Sequence, residues 1–144
     1  MDHIAQIAGK LADHQLDAML LASQAGERYA VGFHGEGLVL VTREGAHYST
    51  DSRYIEAARQ EVQGAQVELV TRERGHLALA AGYLQEHGLK RVGFESGAGR
   101  VDALARYERA LPCTLVPAQD LPDGLRASKD GEELAAMEKA QRIT

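Results

Sequence analysis

The sequence predicts a three-layer α/β domain: a mixed sheet of about six strands with helices on both faces. Two observations carry this. Short apolar runs of strand length alternate along the chain with segments whose apolar residues recur at helical spacing. Two strand-like runs, 38–42 and 46–50, flank Arg43, Glu44 and Gly45 as a hairpin, so the sheet is not wholly parallel. The length agrees, because 144 residues can bury a core without staples.

Ile4, Ile7, Ala8 and Leu11 fall at i, i+3, i+4 and i+7, one face of a helix running to about His14. Residues 17–23 form an apolar run that reads as a buried strand. Residues 24–32 fit a short helix or a turn, with Tyr29 and Val31 as apolar members. After the hairpin, Asp51 can cap a helix whose inner face is Ile55, Ala58 and Val62, closing at Gly64. Residues 66–70 alternate polar and apolar, as a half-buried strand does. Leu77, Ala80, Ala81 and Leu84 make a further helical face, closed by Gly88. Residues 91–95 are a strand, Val101, Leu104, Tyr107 and Leu111 mark a helix, and 113–117 are a last short strand. Pro117, Pro122 and Gly124 then break the pattern. Asp130 with Glu133 has the form of a capping box, opening a helix with Leu134, Met137 and Ala140 on one face and Ile143 nearby. A boundary is therefore expected near 121–129.

Composition narrows the chemistry. Sixteen Lys and Arg against 21 Asp and Glu give a net charge of −5, which argues against a nucleic-acid partner. The single cysteine, Cys113, excludes an intrachain disulfide and a thiolate-rich zinc site within one chain. It lies on an apolar strand and reads as a buried structural thiol. No apolar stretch approaches bilayer length and the first residues do not resemble a signal peptide, so a soluble, cytoplasmic protein with no membrane partner is expected. None of the six histidines shows zinc-helix spacing. Gly97 and Gly99 lack the third glycine of a dinucleotide fingerprint, because that position is Asp102. There is no phosphate-binding P-loop and no Gly-x-Ser-x-Gly elbow. Chemistry alone assigns no catalytic set.

Four stretches together resemble the amino-terminal domain of the Xaa-Pro aminopeptidase, prolidase and creatinase family. Residues 17–23, followed by Arg28, Tyr29, Gly32 and Phe33, are similar to its apolar strand and its Asn-x-x-Tyr-Leu-Thr-Gly-Phe signature. Gly26 stands in the place of the Asn, and Ala30 and Val31 in that of Leu-Thr. The stretch Thr50-Asp51-Ser52-Arg53-Tyr54 is similar to its Thr-Asp-x-Arg-Tyr element. Residues 92–95 form the third match, and 125–144 are similar to the segment leading into the family's catalytic domain.

The resemblance implies a ribonuclease-H-like domain over residues 1–125. Residues 126–144 would be a linker and the first helix of a pita-bread catalytic domain lying beyond Thr144. It implies a non-catalytic domain that restricts access to the active site and helps form dimers or tetramers. No catalytic or metal-binding residue is expected in this chain. A divalent metal (Mn, Co or Zn) is implied for the catalytic domain, which would be this domain's first partner. Proline-containing peptides are the implied substrates of the whole protein.

Four residues are candidates for the rim of such a site: His34, Glu36, Arg53 and Tyr54. The loop 33–37 offers the Glu36 carboxylate to a free amino terminus and the His34 imidazole to either sign, on a backbone that glycines let approach closely. It reads equally as a solvated lead-in to the hairpin. Arg53 is expected in the first turn of a helix, where a cation opposes the dipole by about 0.3–1 kcal/mol unless it has a partner. That suggests a salt bridge across the domain or subunit boundary, or else Tyr54 packs in the core and Arg53 snorkels to water. Two readings from other classes are a free-standing binding or scaffold module and a nuclease. The apolar stripe at 134–143 opposes the first. The acidic balance and the lack of clustered carboxylates oppose the second.

Overall fold

Four consecutive apolar residues cannot alternate between core and solvent, so the strand they form must be covered on both faces. In the computed structural model, which describes residues 3–33, 35–62, 64–95 and 101–119 with Leu121 and Gly124, β1 (Ala18–Leu21) is such a strand. Met19 and Leu21 enter one core cluster, and Ala18 and Leu20 the other. Strand β2 (Gly37–Thr42) divides in the same way, Val39 and Val41 against Leu38 and Leu40. Two helical layers follow from this. On the Met19 face lie α1 (His3–Leu11), α2 (Gln24–Val31) and α3 (Ile55–Glu61), seated by Ile4, Ile7, Leu11, Tyr29 and Ala58. On the Leu20 face lie α4 (His76–His87) and α5 (Val101–Ala110), seated by Ala80, Leu84 and Tyr107. Each fully buried Leu or Ile side chain contributes about 2 kcal/mol gross, which suffices to dock helices of this length.

The remaining strands are β3 (Gly45–Thr50), β4 (Gln66–Leu69), β5 (Arg91–Phe94) and β6 (Thr114–Pro117). The sheet order is β4-β3-β2-β1-β5-β6. Strand β2 pairs antiparallel with both β1 and β3, while β1–β5, β3–β4 and β5–β6 are parallel. Five strands therefore run one way and β2 alone runs against them. The C-terminal ends of β1, β3 and β5 and the N-terminal start of β2 lie on one edge. The mixed sheet with two helical layers is as the alternation and the hairpin predict.

Four local expectations are corrected. Helix α1 stops at Leu11 rather than near His14, because Gln15 takes a left-handed conformation (φ 59°) and the Leu16 amide turns back to the Leu11 carbonyl at 2.8 Å. Asp51 does not cap α3, which starts four residues later with Tyr54 at the cap and no side-chain bond there. The Asp51 Oδ1 instead accepts from the Arg53 amide at 2.9 Å, closing a local turn. Helix α3 ends at Glu61, so Gly64 (φ 80°) belongs to the following turn and is not the cap. Cys113 is partly exposed and precedes β6, and burial still pushes its thiol above the ordinary range. The expected helix at 130–143, the division between 125 and 126, and Gly97 and Gly99 lie outside the described residues.

Candidate functional site

The edge where β1, β3 and β5 end and β2 begins carries two buried carboxylates. Glu27 sits in the first turn of α2 and is only 2% exposed. Its Oε1 accepts from the Gly35 amide and its Oε2 from the Gly37 amide, both at 2.7 Å. Glu95, immediately after β5, is 6% exposed. Its Oε1 accepts from the amides of Ala22 at 2.7 Å and Ser23 at 2.9 Å, and its Oε2 from the Ser23 hydroxyl at 2.5 Å. Ser23 Oγ in turn accepts from the Gly26 amide at 2.9 Å, capping α2. A Cβ on Gly26 would stand 2.8 Å from Glu95 Oε2. Glycine at 26 is thus the residue that this carboxylate leaves room for.

Above Glu27 the chain presents an exposed charge cluster. Glu36 Oε2 pairs with Arg53 Nη2 at 2.7 Å, and the same nitrogen pairs with Asp51 Oδ2 at 2.8 Å. Hydrogen bonds from Arg53 hold the Asp51 carboxyl below the usual carboxylate range, and Asp51 and then Glu36 hold the guanidinium more firmly protonated. Arg53 and Glu36 are each more than three-fifths exposed, so solvent screens this pair and it adds little to stability. Arg53 lies just before α3 with two carboxylate partners, so the expected clash with the helix dipole does not arise. Its guanidinium carbon is 5.3 Å from the Tyr54 ring centroid. Tyr54 is partly buried against the first core cluster and meets Phe33 edge-on at 6.4 Å. The ion pairs of Arg53 seen here lie within this domain, to Glu36 and Asp51, and Tyr54 packs partly into the core. His34 lies outside the described residues.

Sequence reasoning singled out Glu36, Arg53 and Tyr54 and missed Glu27, Glu95 and Tyr48. A signal for Glu27 existed. It lies three and four residues before Ala30 and Val31, so it occupies the apolar face of α2. Tyr48 is fully buried on β3, and among the described residues its hydroxyl makes no hydrogen bond of sound geometry. Burial, and then the nearby Glu27 charge, push this phenol far above its ordinary range.

A second polar group occupies the opposite face, under α4. His47 Nδ1 is 2.7 Å from Glu68 Oε1, and Ser49 Oγ is 2.9 Å from His76 Nδ1. The Tyr83 ring lies between His47 and His87, with centroids at 3.9 and 4.2 Å. Among the described residues no three His, Cys, Asp or Glu side chains are placed to hold a metal ion, and no helix is long and apolar enough to cross a membrane.

A family model described as the Creatinase/Prolidase N-terminal domain matches residues 3–128. "Uncharacterized peptidase YqhT" of Bacillus subtilis (strain 168) is 30% identical over 145 residues, covering 99% of this chain and 40% of that protein. The chain thus spans about two-fifths of the length of this curated relative. Among solved structures, an Xaa-Pro dipeptidase from Bacillus anthracis superposes with a TM-score of 0.80 at 24% identity, over 88% of this chain and 35% of that one. The N-terminal domain of cytoplasmic peptidase PepQ from Mycobacterium tuberculosis H37Rv gives 0.75 at 29% identity, over 85% of this chain and 97% of that one.

Proposed function

The chain belongs to the creatinase/prolidase N-terminal domain family, and from that premise we propose that it is the non-catalytic part of a metal-dependent Xaa-Pro peptidase of the aminopeptidase P or prolidase type. The observation that carries this is coverage: a peptidase relative matches 99% of this chain while the chain fills 40% of that relative. The divalent metal (Mn, Co or Zn) of such a peptidase finds no ligand set among the described residues here. It would belong to a catalytic domain that is this domain's first partner.

In this reading the domain works by size and by charge. A rigid layered body beside a cleft admits short extended peptides containing proline and excludes folded chains. The rim is the charge cluster at the strand ends. Glu36, paired with Arg53 at 2.7 Å, offers a carboxylate to a peptide's amino terminus. The same body would serve association into dimers or tetramers.

The test has two arms. The 144-residue chain with added manganese is expected to leave Xaa-Pro peptides uncut, and turnover that copurifies with the chain would overturn the non-catalytic assignment. In the full-length protein, Glu36→Gln is expected to raise KM for short peptides with kcat unchanged. An unmoved KM would reject the rim role.

A further inference from the structure

Glu36 lies on an exposed loop, and an exposed ion pair alone does not fix where its carboxylate points. What fixes it lies underneath. We propose that Glu27 is the positioning residue of the rim: its buried carboxylate holds the two amides that flank Glu36 and so sets the height and direction at which Glu36 is presented.

A carboxylate accepts with both oxygens, whereas a carboxamide accepts with only one. Glu27 uses both, one on Gly35 N–H and one on Gly37 N–H, each at 2.7 Å. A third anchor comes from the side, where the Thr50 hydroxyl donates to the Glu36 carbonyl at 3.2 Å. Three points thus hold three successive residues. The glycines are required by close approach. A Cβ on Gly35 would stand 2.6 Å from the Phe33 ring, and one on Gly37 would stand 2.6 Å from the Ser49 carbonyl. The loop backbone therefore lies directly on the Phe33 and Tyr48 rings, and its half-buried glycine amides take their acceptor from Glu27. A charge this deeply buried is costly unless it is hydrogen-bonded, so the clamp and the carboxylate each account for the other. The N-terminal turn of α2 also favours an anion at this position.

The inference rests on the rim reading above, and the experiment separates the two. In the 144-residue chain, amide hydrogen exchange and through-bond coupling from the Gly35 and Gly37 nitrogens to the Glu27 carboxyl carbon report the clamp directly. Both amides are expected to be protected, and Glu27→Gln to speed at least one of them by about tenfold or more while amides of β1 and β2 keep their rates. Glu36→Gln is expected to leave both amides protected. In the full-length protein, Glu27→Gln is expected to raise KM roughly two- to fivefold at unchanged kcat, the range for one exposed charge contact. The double variant should be no worse than Glu36→Gln alone. Glycine amides unprotected in the wild type overturn the proposal. So does a Glu27→Gln variant with an unmoved KM when Glu36→Gln raises it. If Glu36→Gln itself leaves KM unmoved, the rim reading fails and the role inferred for Glu27 falls with it, whereas the exchange data still report the clamp. Should Glu27→Gln not fold, Glu27→Asp keeps the charge but shortens the arm by one methylene, and it is read by the same two measurements.

Discussion

Removing the Glu95 carboxylate should loosen the start of α2 and, through it, the whole loaded edge of the sheet. Three donors converge on this side chain: the Ala22 and Ser23 amides and the Ser23 hydroxyl. A hydrogen bond to a charged acceptor contributes about 1.5–3 kcal/mol net, so three set a ceiling of about 4.5–9 kcal/mol. Water entering the space left by Glu95→Ala restores part of this, and the expected loss is about 3–5 kcal/mol. That is a large share of the 5–15 kcal/mol typical of a domain. Glu95→Gln keeps one acceptor oxygen for the two amides and gives up the charge, and it should cost about 1–2 kcal/mol. Ser23→Ala removes the cap for about 1 kcal/mol. Because the Ser23 hydroxyl serves both bonds, the double variant should fall short of additivity by about 0.5–3 kcal/mol. Urea unfolding followed by circular dichroism reads all four proteins. With a slope of about 1–3 kcal/mol per molar, Glu95→Ala should lower the midpoint by about 2 M. A loss under about 1 kcal/mol at unchanged slope would refute the reasoning. Full additivity with Ser23→Ala would do the same.

Two glycine variants should move stability in opposite directions. Gly9 is an exposed position inside α1 with open space where a Cβ would go, so Gly9→Ala should stabilise by about 0.5–1 kcal/mol. Gly37→Ala would set a Cβ 2.6 Å from the Ser49 carbonyl and should destabilise by about 2–3 kcal/mol in the same urea assay. Tyr48→Phe removes a buried hydroxyl with no hydrogen-bond partner among the described residues and should gain about 1 kcal/mol, whereas a loss would show that the hydroxyl is bonded. His76 supplies a pH dependence. Burial pushes its imidazole below the ordinary 6.5, partly offset by the charges of Asp51 and Glu27 and by its bond to Ser49. The unfolded chain therefore binds this proton more readily, so stability should fall as pH drops below about 6.5. Unfolding free energies measured from pH 8 to pH 5 should show this slope in the wild type and a flatter one in His76→Gln.

The layered architecture was legible because it follows from local periodicity. Ala18–Leu21 and Gly37–Thr42 are buried on both faces, and a run such as 38–41 announces that by having no polar member. Helix faces at Ile4, Ile7 and Leu11 or at Ala80 and Leu84 follow the same logic. Helix ends were less legible. Gln15 in a left-handed conformation and the turn that Asp51 closes on Arg53 both depend on competition between a side chain and the backbone.

At the site, local spacing alone places the charges close along the chain. Glu36, Asp51 and Arg53 stand within a short stretch that the hairpin folds back on itself, and the Thr-Asp-x-Arg-Tyr pattern marked it. What holds them is set by contacts between distant parts of the chain. Glu95 reaches amides 72 and 73 residues away, and Glu27 reaches across a turn to amides of residues that carry no side chain to announce the contact. A carboxylate reads as a surface residue in any local pattern, because burial without a cation is costly. It becomes a structural centre only when folding brings backbone donors to both of its oxygens.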